Sequence, residues 1–239
     1  MNKIKYAAAL SLIVFIFSAS LNAQERFQIG GWFVLGFPQG EFKKNVDQTG
    51  LGGNLFFAYR IPHSWFSIGT AFNYVVYGKE SREEVLSPNI PELVVDVITT
   101  NSILTGHVLF RFQPQKGRLR PYLDALVGFH YLSTDTSIRG KDGWDDSDDE
   151  ISSNNYNDIA FSSGAGGGIM FCVYQKKKKG GGRDSVSIYL DTGIHYLRGG
   201  RAEYMKKGSI RHDDTDVFYD VLTSRTDLLT AHIGVTVGF

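Results

Sequence analysis

Hydrophobic and polar residues alternate without interruption over residues 229–239, at the end of the chain. The apolar residues at every second position are Leu229, Ala231, Ile233, Val235, Val237 and Phe239. The residues between them are small or polar, so one face of an extended segment is apolar and the other is not. This two-residue period predicts a β-strand that separates an apolar environment from a polar one, as in a membrane barrel.

The same alternation predicts seven earlier strands, at residues 27–36, 51–60, 65–77, 97–112, 121–131, 158–174 and 185–196. In the sixth of these, the alternation places the even-numbered residues from Ala160 to Tyr174 on the inward face. Strands that cross lipid must close into a barrel, because an open edge leaves backbone groups unpaired at several kcal/mol each. We therefore predict an all-β fold, an eight-stranded antiparallel up-and-down transmembrane β-barrel.

Long and short connections alternate between the predicted strands. The long ones are 37–50, 78–93, 134–157 and 199–226, and the short ones are 61–64, 113–120 and 175–184. Barrels of this class have long extracellular loops and short periplasmic turns. The pattern therefore predicts that Phe239 lies in the periplasm, and that residues 79–84 form a solvated part of an outer loop without chemistry of their own.

Residues 1–23 have the composition of a secretory signal peptide. Lys3 and Lys5 precede an apolar run at 6–17, and a small, polar stretch at 18–23 ends in Ala23. A membrane helix is the competing interpretation, but the run is shorter than the ~20 residues needed to span a bilayer. We expect removal of 1–23 and a single barrel domain over 24–239. That domain has 23 basic and 25 acidic residues, since two of the 25 basic residues are removed.

Composition excludes several other classes of protein. The chain is 42% hydrophobic and 13% aromatic, which is too apolar for a disordered protein, and its zero formal charge gives no basis for nucleic-acid binding. A single cysteine excludes a disulfide scaffold and a cysteine-based metal cluster. We expect no cofactor, and we expect the outer membrane of a bacterium as the location.

Several segments together resemble the small outer-membrane barrels of Bacteroidetes. These segments are the leader ending before Gln24, the sequence from Pro38 to Phe42, the Arg120-Pro121-Tyr122 opening of the fifth strand, and the terminal Phe239. The resemblance implies an OmpA- or OmpX-like shape, and PorT-like proteins fall within the same group. Some members look like accessory proteins of secretion or gliding machinery, which would imply a protein partner in the outer membrane or periplasm.

Ionisable residues on the inward face are the main candidates for chemistry. By alternation these are Arg60, His107, Arg111, Asp124, His130, Asp191, His195 and His232. Buried charges are costly unless paired, so we expect an internal polar network that fills the lumen. We assign no catalytic or metal-binding residue and expect a non-enzymatic protein. The alternatives are a narrow channel and a lipid A-modifying enzyme that would use His195 with Asp191, Ser187 or His232.

Two charged connections are candidate binding segments. The third outer connection carries Asp142 and an acidic group consisting of Asp145, Asp146, Asp148, Asp149 and Glu150. It is predicted to be solvated, with cation or lipopolysaccharide contacts as the alternative. The last short turn carries the basic residues Lys176, Lys177, Lys178, Lys179 and Arg183. These could contact anionic membrane lipid or a periplasmic protein.

Overall fold

The computed structural model describes residues 25–87, 90–140, 151–176, 186–212 and 217–239. The strands and the helix are, in chain order, β1 Phe27–Pro38, α1 Gly40–Asn45, β2 Gly50–Arg60, β3 Phe66–Ser87, β4 Ile90–Phe112, β5 Leu119–Gly140, β6 Ile151–Lys176, β7 Val186–Gly199, β8 Arg201–Tyr204, β9 Ile210–His212, β10 Val217–Tyr219, β11 Leu222–Arg225 and β12 Leu228–Gly238. The predicted signal peptide lies outside these described residues.

Eight of the strands form one closed antiparallel barrel. β1 to β7 pair in sequence order, and β12 pairs with both β7 and β1 to complete the ring. The closing register places Phe33 opposite Ile233, with further pairs along both strands. Closure leaves no free edge in the ring, which is the condition that lipid imposes on a spanning sheet. The predicted eight-stranded antiparallel barrel is confirmed.

Side chains alternate between the two faces of the barrel wall. In β1 the even-numbered residues are buried inside, while the odd-numbered residues face outward. The large apolar side chains exposed on the outer face include Phe33, Leu55, Phe57, Phe72, Val108, Leu123, Phe161, Ile169, Leu190, Ile194, Ile233 and Val235. The polar and small side chains meet inside the barrel, where the cross-section of eight strands is narrow enough for side chains to fill.

Four barrel strands are much longer than predicted. β3, β4, β5 and β6 have 22, 23, 22 and 26 residues, and the predicted loop at 78–93 is mostly a continuation of β3 and β4. Residues 79–84 therefore lie in a paired strand, with Lys79 opposite Thr100 and Glu80 opposite Thr99. The prediction failed here because alternation disappears where both faces of a strand are polar. We call the paired extensions of β3 to β6, at residues 78–87, 90–101, 134–140 and 151–156, the projecting wall.

The last long connection is also structured. It contains β8 to β11, which form two small two-stranded sheets, and α1 lies in the first long connection. Phe42 of α1 is fully buried against Tyr77 and Tyr204, with ring centroids 5.4 and 5.0 Å away. These elements close the end of the barrel that carries the long connections. Within the described part of the chain, no helix has the length and apolar character needed to cross a membrane.

One side chain predicted to face inward points the other way. A bulge interrupts the register between β6 and β7 at Cys172 and Tyr174, so one extra residue enters β6. Val173 and Tyr174 are both exposed as a result, whereas the alternation predicted Tyr174 inside. A bulge reverses the face of every residue beyond it, and sequence alternation alone does not locate it.

Candidate functional site

The centre of the lumen is built around a buried ion pair. Arg111 on β4 lies directly opposite Asp124 on β5, and neither side chain is exposed to solvent. The Nε and Nη2 groups of Arg111 each donate a hydrogen bond of 2.8 Å to one carboxylate oxygen of Asp124. The Nε2 atom of His195 lies 2.9 Å from Asp124 Oδ2. Both carboxylate oxygens are therefore satisfied, as a buried charge requires.

Tyr122 connects this pair to a second carboxylate. Its hydroxyl donates to Asp191 Oδ1 at 2.7 Å and lies 3.0 Å from His232 Nε2. The guanidinium of Arg111 sits over the Tyr122 ring, 3.7 Å from the centroid. Trp32 stacks on His232 with 4.2 Å between ring centroids. We call these residues, together with Arg111, Asp124 and His195, the central network.

Two glycines make room for Tyr122. A methyl group at Gly168 would lie 2.6 Å from Tyr122 Cζ, and one at Gly193 would lie 2.7 Å from its hydroxyl oxygen. Both distances are below normal contact, so a side chain at either position would displace the ring. Of the glycines predicted along the inward face of β6, Gly166 and Gly168 lie against central-network side chains, whereas Gly164 lies against Leu197.

A second polar group lies nearer the end with the long connections. The Oγ atom of Ser162 lies 3.0 Å from His107 Nε2 and 2.8 Å from His130 Nε2. The Nδ1 atom of His130 is 3.2 Å from Thr226 Oγ1. All four side chains are buried, so this serine is held between two imidazoles without access to solvent.

Glu25 closes the lumen at the opposite end, where the short turns lie. Arg120 Nη1 donates a 2.7 Å hydrogen bond to Glu25 Oε2, and the hydroxyl groups of Ser187 and Tyr189 also donate to this carboxylate. Arg60 Nη1 is 3.7 Å from the same oxygen. Burial by itself would raise the pKa of Glu25, but Arg120, Ser187 and Arg60 together hold it below its ordinary value.

All eight candidate lumen residues lie inside the barrel, but they do not form a single cluster. Five belong to the central network, namely Arg111, Asp124, Asp191, His195 and His232. His107 and His130 share Ser162 instead. Arg60 belongs to the group around Glu25 at the short-turn end.

Sequence reasoning missed Arg120 and Glu25. Arg120 is an even-numbered residue of β5, like the inward-facing Tyr122 and Asp124. Beginning the predicted strand one residue earlier would have placed Arg120 inside the barrel. Glu25 gave no such signal. It lies at an odd-numbered position, where β1 points outward, and it is buried because the chain bends into the barrel mouth before the strand begins.

In this arrangement side chains fill the lumen, and the residues considered for lipid A modification do not come together. Arg111, Tyr189 and Met170 are fully buried in the lumen, which favours a filled interior over the open path that a channel needs. Ser187 bonds to Glu25, and His195 bonds to Asp124, so these two residues do not form a nucleophile and base pair. Among the described residues, no group of three or more His, Cys, Asp or Glu side chains is placed to bind a metal ion.

The two charged connections fall largely outside the described residues. This applies to Asp145, Asp146, Asp148, Asp149 and Glu150 in the acidic connection, and to Lys177, Lys178, Lys179 and Arg183 in the basic turn. Lys176 is the last residue of β6 and is exposed at the short-turn end.

Comparisons with known proteins find similarity in structure but not in sequence. No protein-family model and no curated protein matches this chain. Neisserial surface protein A aligns at 13% identity and a TM-score of 0.40, covering 89% of this chain and 97% of its own. Ail, the attachment invasion locus protein of Yersinia pestis, aligns at 15% identity and 0.38, covering 90% and 97%. A major outer membrane protein from Thermus thermophilus aligns at 14% and 0.36, covering 89% and 99%.

Proposed function

We propose that this chain is a non-enzymatic β-barrel of a bacterial outer membrane, with a structural, accessory or binding role. The observation that carries the proposal is the combination of an apolar exterior with a lumen filled by paired polar side chains. In the described part of the chain, the central network fills the middle of the lumen and leaves no substrate site open there. The contacts of the barrel are then made by the projecting wall and the other long connections, and by the basic turn at the opposite end.

The exposed apolar surface supports placement in a membrane. Leu55, Leu123 and Phe161 are 69%, 66% and 66% exposed, and similar side chains surround the barrel. Soluble proteins rarely expose contiguous apolar patches larger than a few hundred Å². Trp65 and Phe66 lie at one rim and Tyr74 and Tyr196 toward the other, as expected of aromatic residues at two lipid–water interfaces. Lipid, and lipopolysaccharide at the outer rim, are therefore proposed contacts.

The projecting wall supports a role in binding. β3 to β6 exceed the shorter barrel strands by roughly ten residues, which corresponds to about 30 Å of extended chain before any tilt. Among the described residues, no strand pairs with β3 on its β2 side beyond Val76, although Tyr77 and Glu80 there bond to the segment after β8. Open strand edges are suited to contact with another chain. A PorT-like accessory role in Bacteroidetes, implied by the sequence resemblance, belongs to this proposal.

Affinity isolation from outer membranes in mild detergent tests the proposal. The test variant replaces residues 80–99 with Asn-Gly, which joins the paired residues Lys79 and Thr100 by a tight hairpin turn. We expect proteins that co-purify in stoichiometric amounts with the wild type to be lost from this variant. Migration of unboiled and boiled samples on a gel serves as the control, since both proteins should run as folded barrels. Identical partners after shortening, or none with either protein, would contradict a binding role for the wall.

A further inference from the structure

A cavity of about 520 Å³ opens at the short-turn end of the barrel. Its walls come from the segment before β1, the connection between β2 and β3, the connection between β4 and β5, and the end of β6. This volume is within the range of sites that bind small molecules. The central network does not use this cavity, and neither does the projecting wall.

The cavity is strongly cationic. Five basic side chains line it, namely Arg26, Arg60, Lys116, Arg118 and Arg120. Glu25 is the one carboxylate among the described lining residues, so four positive charges remain without a matching acid there. Arg60 and Arg120 are buried at the floor, while the other three are exposed at the rim. A concave site with one sign of charge concentrates ligands of the opposite sign.

The floor of the cavity contains an unsatisfied donor. Arg60 Nη2 donates to Gln113 Oε1 at 3.0 Å, and Arg60 Nη1 reaches Gln115 O at 3.5 Å. The Nε–H of Arg60 has no hydrogen-bond acceptor among the described residues, although the side chain is only 8% exposed. Buried donors are nearly always paired, so Arg60 carries an uncompensated donor beside the cavity.

Hydrogen bonds fix the walls before any ligand binds. Gln113 N donates to Trp65 O at 2.8 Å, which ties together the two connections that form the cavity. Arg120 Nε donates to Gly117 O at 3.2 Å, and Cys172 N donates to Arg118 O at 2.7 Å. Gly117 has a φ of +119°, a conformation that other residues rarely adopt. The arginines are therefore positioned in advance, which lowers the entropic cost of binding.

We infer that this cavity binds a phosphate-bearing anion with two or more negative charges. Arg60 and Arg120 add positive charge at the floor, where they already donate to Gln113 and Glu25. The exposed Lys116 and Arg118 supply charged donors at the rim. The phosphate comes either from the headgroup of an anionic phospholipid or from a soluble phosphate compound. Anion binding itself does not depend on the function proposed above, whereas assigning the cavity to the periplasmic face does.

Calorimetric titration of the full barrel in a maltoside detergent, with pyrophosphate as the probe, tests this inference. The double variant K116Q/R118Q removes two exposed rim charges, and K206Q/K207Q removes two exposed charges at the opposite end as a matched control. We expect one pyrophosphate per barrel and about tenfold weaker binding for K116Q/R118Q, because charge-assisted contacts are lost. The control should stay within about twofold of the wild type.

A second titration distinguishes the two sources of phosphate. Dihexanoyl phosphatidylglycerol that binds wild type and is displaced by pyrophosphate identifies a lipid headgroup as the ligand. Pyrophosphate binding that this lipid does not compete with identifies a soluble phosphate compound. The absence of saturable binding with both probes would overturn the inference, and so would equal weakening in K116Q/R118Q and K206Q/K207Q.

Discussion

Arg111 and Asp124 are direct cross-strand neighbours in the barrel, and their side chains form a two-point ion pair with both distances at 2.8 Å. The register of β4 and β5 brings the two residues opposite each other, and the inward side of the pleat removes both from solvent. The guanidinium also packs on the rings of Tyr122 and Phe56, 3.7 and 4.5 Å from their centroids. The pairing of β4 with β5 thus fixes the position of the ion pair at the centre of the lumen.

Replacing Arg111 with methionine should destabilise the barrel strongly. The variant keeps much of the side-chain volume but leaves Asp124 buried without its cation, which costs about 3–5 kcal/mol when a buried pair is broken. Urea-induced unfolding in detergent micelles or lipid vesicles, followed by tryptophan fluorescence, would measure this loss.

The double variant R111M/D124L is the control for that measurement. It removes both charges, so it should recover much of the stability lost in R111M, since an apolar pair of similar size can replace a buried ion pair. His195 loses its partner in this variant, which limits the recovery. Equal stability of R111M and wild type would show that the ion pair does not hold the lumen together.

Gly168→Ala should destabilise the barrel, while Gly31→Ala should not. The added methyl group at Gly168 would clash with the backbone oxygen of Thr192 and would lie 2.6 Å from Tyr122 Cζ, whereas a methyl group at Gly31 would have no heavy atom within 4 Å. Overpacking of this kind costs about 1–3 kcal/mol. Comparing the temperature at which each variant loses its heat-modifiable gel migration tests the difference. A neutral G168A would mean that Tyr122 and the backbone at Thr192 both have room to move.

The ionised Glu25 carboxylate should stabilise the barrel at neutral pH and lose this effect in acid. Its pKa in the folded state is lowered below the ordinary value of 4.5, chiefly by Arg120 against the opposing effect of burial. The stabilisation is therefore fully present above about pH 4.5 and disappears as the pH falls through the lowered folded-state pKa.

Comparison of the wild type with E25Q at several pH values measures this contribution. E25Q should be less stable by roughly 1–3 kcal/mol at pH 7, since it loses hydrogen bonds to a charged group. The difference should shrink as the pH falls through the lowered folded-state pKa of Glu25, where the wild-type side chain becomes protonated as well. A difference that does not depend on pH would place the effect in packing instead of charge.

Leu55→Arg should destabilise the protein in a bilayer because Leu55 lies midway along the exposed face of β2. This residue is 69% exposed, with Leu51 toward one rim and Tyr59 toward the other. Arginine near the bilayer midplane costs about 2–4 kcal/mol, whereas exposed positions in water change stability by only about 0.5 kcal/mol. Reversible folding in lipid vesicles gives this value, and Ser81→Arg on the projecting wall is the matched control. Equal effects of L55R and S81R would contradict the membrane placement.

Strict alternation made the barrel predictable from sequence, because two environments meet along each strand. In β12 and β7 lipid-facing and lumen-facing residues alternate so cleanly that the strands, their number and their inward residues follow from the pattern. The pattern fails in the extensions of β3 and β4, where Lys79 and Glu80 lie in paired strand although the sequence resembles a solvated loop. Neither face of these extensions has to be apolar, so the two-residue hydrophobic period is absent from their sequence.

The sequence by itself determined nearly all of the residues that enter the lumen, because parity along a strand is a local property. Glu25 and Tyr174 are the exceptions. The sequence did not determine which of the inward residues meet. Arg111 joins Asp124 because of the register between β4 and β5, and Asp191 joins Tyr122 across the lumen between residues 69 positions apart. Glu25 reaches Arg120 only because closure of the barrel brings the segment before β1 close to the first residues of β5. Closure and register are long-range relationships, and the tertiary structure alone decided how the buried charges are paired.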